Sequence, residues 1–175
     1  DDQVERLDVG GTAEVFLGRV GPGERLIISG AGHVGLAVAR LAATVGFHPE
    51  LVDDRAEACE AAREQRVGLV HRCDGEYREG VPAIDASCCV AVLTRCHRTD
   101  MLALRGVVAI PTRYLGLIGS RRKKETIFAQ LREARAASEE QLERIRCPIG
   151  LPLGGETPEE IAVSIVAELM QLRRS

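Results

Sequence analysis

Gly30, Gly32 and Gly35 form the pattern G-x-G-x-x-G within the stretch RLIISGAGHVGLAVARLAATVGFHPELVDDR, Arg25 to Arg55. The chemistry of that spacing is phosphate binding. Gly30 makes a tight turn, Gly32 lets a pyrophosphate approach the backbone, and Gly35 lets the following helix pack closely on the strand. The phosphates would rest on free backbone N–H groups at a helix N-terminus, where the helix dipole favours negative charge. The same glycines also suit a purely structural turn. His33 sits at the first helical residues. It either donates to a phosphate or substrate, or is an exposed imidazole at a helix start. Asp53 closes the next strand, where an acid can accept bonds from a ribose, and Asp54 is a second candidate. An acid there would repel a 2′-phosphate, which disfavours an NADP-type ligand.

A second turn follows in YLGLIGSRRKK, Tyr114 to Lys124. Gly119 is the turn and Ser120 the expected N-cap. Arg121, Arg122, Lys123 and Lys124 then crowd a helix N-terminus, where cations are unfavourable. An anion held by Ser120, the end amides and the Arg forks would offset that cost. A solvated basic face reaching acids elsewhere is the other option. Between the two turns, TRCHRTD places Thr94, His97 and Asp100 after the most apolar strand. Polar groups at such a strand end contact substrates or ligands. Cys96 lies between Arg95 and Arg98, whose charges should lower its pKa. It is a nucleophile, a soft-metal ligand, a sulfur carrier or a packing residue.

These residues need a scaffold that brings strand ends together. Strands are expected at Leu26–Ser29, from Glu50, at Val67–His71, Cys88–Thr94 and Tyr114–Ile118. Helices are expected at Val34–Val45, Ala56–Glu64, Thr99–Gly106 and Ser120–Ala136, with a capping-box start at Ser138 and another at Thr157. Cys73–Pro82 reads as a polar loop, and Val15–Leu17 as a short extended run. Alternating strands and helices imply an α/β Rossmann-like, doubly wound, mostly parallel sheet with helices on both faces. The turns then open on one sheet edge.

The 175 residues, 45% hydrophobic, suit one packed domain. A formal charge of −3 and 3% aromatics argue against a nucleic-acid surface. The six Cys form no C-x-x-C, and no signal peptide or long apolar run is seen. A reducing cytoplasm and no membrane partner are expected.

Taken together, these stretches resemble the xanthine dehydrogenase accessory factors, the XdhC/CoxI family. The matching segments are GAGHVGLAVARLAATVGFHPELVDDR, LTRCHRTDMLALRG, RYLGLIGSRRKK and PIGLPLGGETPEEIAVSIVAELMQLRR. The resemblance implies a Rossmann domain over residues 21–175, with residues 1–20 the remnant of an upstream domain. It implies a non-catalytic accessory protein that binds molybdenum cofactor, as molybdopterin or its cytosine dinucleotide. It also implies help with cofactor sulfuration by a cysteine desulfurase, delivery to a molybdenum hydroxylase apoenzyme, and homodimers. Val9 stands where the family often has Cys, and Cys96 and Thr99 where it often has Gly and His. Two competing expectations share the glycine turn. One is an NAD-dependent oxidoreductase with His97 as acid/base oriented by Asp100. The other is an NAD-sensing regulatory domain.

Overall fold

In the computed structural model, which describes residues 23–173, five strands form one wholly parallel sheet in the order β3-β2-β1-β4-β5. The strands are β1 (Glu24–Ser29), β2 (Phe47–Asp53), β3 (Leu69–Arg72), β4 (Cys89–Val92) and β5 (Tyr114–Leu117). The helices are α1 (His33–Thr44), α2 (Ala56–Glu64), α3 (His97–Val107), α4 (Arg121–Glu133), α5 (Glu139–Glu143) and α6 (Pro158–Arg173). This is the Rossmann-type arrangement. The expected run at Val15–Leu17 and the upstream remnant lie outside the described residues.

The central strands are apolar on both faces because helices cover both. Leu26, Ile27 and Ile28 of β1 are wholly buried. Leu26 and Ile28 join a core with α1 and α6, and Ile27 joins Val90, Val92, α3 and α4 on the other face. Helix α6 packs along α1 through Ala162, Ile165, Val166 and Leu169. Its start is fixed reciprocally. Glu160 N–H donates to Thr157 Oγ1 at 3.2 Å, and Thr157 N–H donates to Glu160 Oε2 at 3.0 Å. Ser138 and Gln141 make the same box at α5.

Several boundaries differ from expectation, among them the longer β1 and β2 and the shorter β4 and α4, and two have a clear local cause. Strand β3 begins at Leu69 rather than Val67, because Arg66 takes a left-handed φ of 53° and delays the strand. Helix α3 begins at His97 rather than Thr99, with Cys96 as its N-cap in extended conformation. Cysteine is not a usual capping residue, so that start carries no sequence signal. Between β3 and β4 the chain crosses the sheet without a helix. Cys73 and Tyr77 anchor this crossover in the α3-side core, over a cavity of about 430 Å³.

Because every strand is parallel, the turns after β1, β4 and β5 open on one edge. Strand order reverses at β1, so the crevice lies between β1 and β4. The β5 turn stands one strand further on.

Candidate functional site

The three glycines of the first turn have three different surroundings. Gly30 has a φ of 119°, and a Cβ there would lie 2.4 Å from the Leu93 carbonyl oxygen. A Cβ on Gly35 would lie 1.9 Å from the Gly30 carbonyl oxygen, so helix and turn touch backbone to backbone. Gly32 is the opposite case. It is the N-cap of α1, and a Cβ there would meet nothing within 4 Å. The backbone at Gly32 is therefore open to an approaching group. His33 follows, exposed, as the first residue of α1.

Asp53 corrects an expectation. Its side chain is only 2% exposed, and its acceptor oxygens are occupied. Ala31 N–H donates to Oδ2 at 2.8 Å. Arg55 donates from its backbone N–H to Oδ1 at 3.0 Å, and from Nε and Nη2 to Oδ1 and Oδ2 at 2.9 Å each. Asp53 thus pins the glycine turn to the end of β2 and does not present a carboxylate to a ribose. Asp54 is likewise engaged. Arg95 Nη1 and Nη2 reach its two oxygens at 2.5 and 2.9 Å. The Arg95 hydrogen bond, opposed by burial and helped by the Arg95 charge, holds the Asp54 carboxyl below its usual range.

Thr94, Thr99 and Asp100 form a buried network under the β4 turn. Thr94 Oγ1 lies 2.6 Å from Thr99 Oγ1 and donates to Asp100 Oδ1 at 2.7 Å, while Thr94 N–H donates to the same oxygen at 3.2 Å. Asp100 is completely buried, and its second oxygen pairs with the Lys123 ammonium from α4. Asp100 and Lys123 therefore tie two turns together instead of facing a ligand. The unfavourable cations of α4 are partly answered inside the protein. Lys124 lies over the Phe128 ring at 5.1 Å. Ser120 caps α4, its Oγ accepting from Lys123 N–H at 3.3 Å after the Gly119 turn. Arg121 and Arg122 are exposed, and among the described residues neither guanidinium has an ion pair or hydrogen bond. His97 is half-buried at the start of α3, and no bond joins it to Asp100.

Cys96 is exposed at the N-terminus of α3. Its pKa is lowered, first by the Thr99 hydroxyl 3.3 Å from Sγ, then by the Thr99 backbone N–H. Burial opposes this weakly, the Arg98 backbone N–H adds to it, and the Arg95 charge contributes least. The expected direction is correct, but the helix start matters more than the neighbouring cations. Burial pushes the Cys73 and Cys89 thiols up to about 12 and about 11, and raises Cys59 and Cys147. At neutral pH, iodoacetamide should therefore modify Cys96 at least about tenfold faster than Cys59, Cys73 or Cys89. Time-resolved peptide mass spectrometry reads this directly, and Thr99→Val should slow the reaction at Cys96. Among the described residues, no three His, Cys, Asp or Glu side chains gather as a metal site. No helix there is long and apolar enough to cross a membrane.

Sequence reasoning missed Arg55 and Arg95 as parts of this edge. Their only sequence signal is the placement of each just beyond a strand's acidic or polar end.

The chain matches the XdhC Rossmann domain over residues 26–169. It is similar to the uncharacterized protein YqeB of Escherichia coli K12, 35% identical over 96% of this chain and 31% of that protein. It is also similar to a probable xanthine dehydrogenase component of Bacillus subtilis, 28% identical over 93% of this chain and 47% of that one. Among solved structures, a xanthine dehydrogenase of Bacillus halodurans superposes with a TM-score of 0.71 at 29% identity, covering 87% of this chain and 43% of that chain. The chain spans less than half the length of each of these relatives.

Proposed function

Since the chain belongs to the XdhC Rossmann domain family, we propose that it holds an anionic molybdenum cofactor for delivery to a molybdenum hydroxylase of the xanthine dehydrogenase type. The guest is molybdopterin or its cytosine dinucleotide. Wider accessory duties, with a cysteine desulfurase and as a homodimer, belong to the same proposal.

One observation carries it. The open backbone at Gly32 and Arg121 and Arg122, unpaired among the described residues, stand on one edge, at the N-termini of α1 and α4. The N-terminus of α3 lies between them. Three helix dipoles thus point at one strip, with two exposed arginines on the first turn of α4 beside it, which favours a guest with more than one negative charge. The β1 and β5 turns are two strand spacings apart, about 10 Å, a span one phosphate ester ligand can bridge. Gly32 and the α1 amides would take a phosphate, and Ser120 with Arg121 and Arg122 a second anionic group. When bound, the cofactor supplies the redox chemistry of the recipient enzyme, while this chain binds and orients it.

The oxidoreductase reading is less well supported. It needs a carboxylate beside His97, and Asp100 is instead held by Thr94 and Lys123. It also draws on an acid at β2 for the ribose, and Asp53 is buried under Arg55.

The test is native mass spectrometry of the protein co-expressed with a molybdenum hydroxylase. A bound mass equal to molybdopterin or its cytosine dinucleotide is expected. Gly32→Asp should lower the bound fraction at least about tenfold, by placing a carboxylate where the phosphate rests. The backbone there, at φ −81°, accepts any residue, so folding should survive. Protein that carries no cofactor, and takes up none at high micromolar molybdopterin, would overturn the proposal.

A further inference from the structure

We infer that the end of the crevice above β2 is a phosphate-monoester subsite, built by Arg55 and Arg95, and not a ribose-diol subsite. This rests on the reading that an anionic ligand lies along this edge, and it says how one end of that ligand must look.

The usual logic at this position is an acid that accepts bonds from a ribose diol and repels an added phosphate. Here the acids are turned inward and the bases outward. The Asp53 side chain is 2% exposed against 32% for Arg55, and Asp54 is 15% exposed against 41% for Arg95. An approaching ligand therefore meets guanidinium groups first. A diol can accept from them but finds no acceptor for its own O–H groups, because Arg has none and the carboxylates that would accept are occupied.

Among the described residues, each guanidinium also has capacity left. Arg55 uses Nε and Nη2 on Asp53, which leaves Nη1. Arg95 uses Nη1 and Nη2 on Asp54, which leaves Nε. The two cations are near enough that the Arg95 charge works against the Arg55 proton, although Asp53 keeps the Arg55 pKa raised overall. A dianion between them would relieve that repulsion and accept from both. Arg72, in register with Asp53 on β3, adds a third exposed guanidinium at the same end. The presence of Asp53 in the sequence thus points the wrong way. The ligand class that fits is one ending in a phosphate monoester in preference to one ending in an unmodified nucleoside, which of the two proposed guests selects molybdopterin over its cytosine dinucleotide.

A matched pair of probes isolates this single group. The affinity of 2′,5′-ADP, adenosine 2′,5′-bisphosphate, which carries one extra monoester, is compared with that of 5′-AMP by isothermal titration calorimetry. Binding of 2′,5′-ADP at least about tenfold tighter is expected. In Arg95→Ala the ratio should fall towards one, with a native far-ultraviolet circular dichroism spectrum showing that the variant is folded. Equal affinities, tighter 5′-AMP, an unchanged ratio in the variant, or no binding of either probe at millimolar concentration would each overturn the inference. Because neither probe is a pterin, the ratio on ligand-free protein tests the subsite whether or not molybdenum cofactor is the natural guest.

Discussion

A Gly35→Ala variant is expected to lose more than about 3 kcal/mol of folding stability and to fail to accumulate as folded protein at elevated temperature. The added methyl would sit 1.9 Å from the Gly30 carbonyl oxygen and 3.0 Å from its carbon. Neither atom belongs to a side chain that can rotate away. Gly30 cannot retreat either, since its own Cα already faces the Leu93 carbonyl closely enough to place a Cβ at 2.4 Å. Its N–H is also held by Val52 O at 2.7 Å. Relief would require α1 to move off the sheet, and α1 carries Gly35, Leu36, Val38, Ala39 and Ala42 in the core it shares with α6. Interiors packed at crystal-like density do not yield to such a shift cheaply. Gly32→Ala is the matched control. With no atom within 4 Å of the new methyl, it should cost less than about 1 kcal/mol, the loss expected from a poorer helix cap. Urea unfolding of both variants separates the two roles. Equal costs would show that close packing at Gly35 does not hold the turn.

That contrast marks how far the sequence alone can reach. The roles of Gly30 and Gly35 follow from a local pattern, strand then turn then helix, and local patterns are what a sequence displays. The same is true of α2, whose bounds agree with expectation, and of the capping boxes at Ser138 and Thr157. Partners chosen across the fold are another matter. Asp53 reads as a ligand for a ribose because nothing local shows that Arg55 folds back onto it or that the Ala31 amide points at it. The cations of α4 read as needing an external anion. One of them has an internal partner 23 residues earlier, at Asp100, brought near only when α3 and α4 pack side by side. Cys96 shows a mixed outcome. A lowered pKa is legible from its neighbours, but its main cause is not, because the α3 start carries no capping residue to announce it.

Lys123→Met should be the most costly substitution among the cations of α4, at about 3–5 kcal/mol, or a fall in Tm on the order of 10 °C. Asp100 has no solvent exposure, and the Lys123 ammonium is the only cation paired with it among the described residues. Methionine keeps most of the Lys123 stem, which lies against Gly119, so the loss reports on charge more than packing. Asp100→Asn in the same background removes the stranded charge and should restore much of the stability, giving a double-mutant coupling well above the roughly 0.5 kcal/mol expected of unconnected sites. A Lys123→Met cost below about 1 kcal/mol would mean that Asp100 finds another counter-charge. The pair also bears on binding. It joins the first turn of α3, next to Cys96, to the first turn of α4, next to Ser120 and Arg121. With the tie cut, amide hydrogen exchange should quicken at both helix starts, and any ligand that spans them should bind more weakly even though neither Asp100 nor Lys123 touches it. An edge whose turns are already fixed by an internal ion pair has less ordering left to do when a guest arrives, and the guest binds more tightly for it.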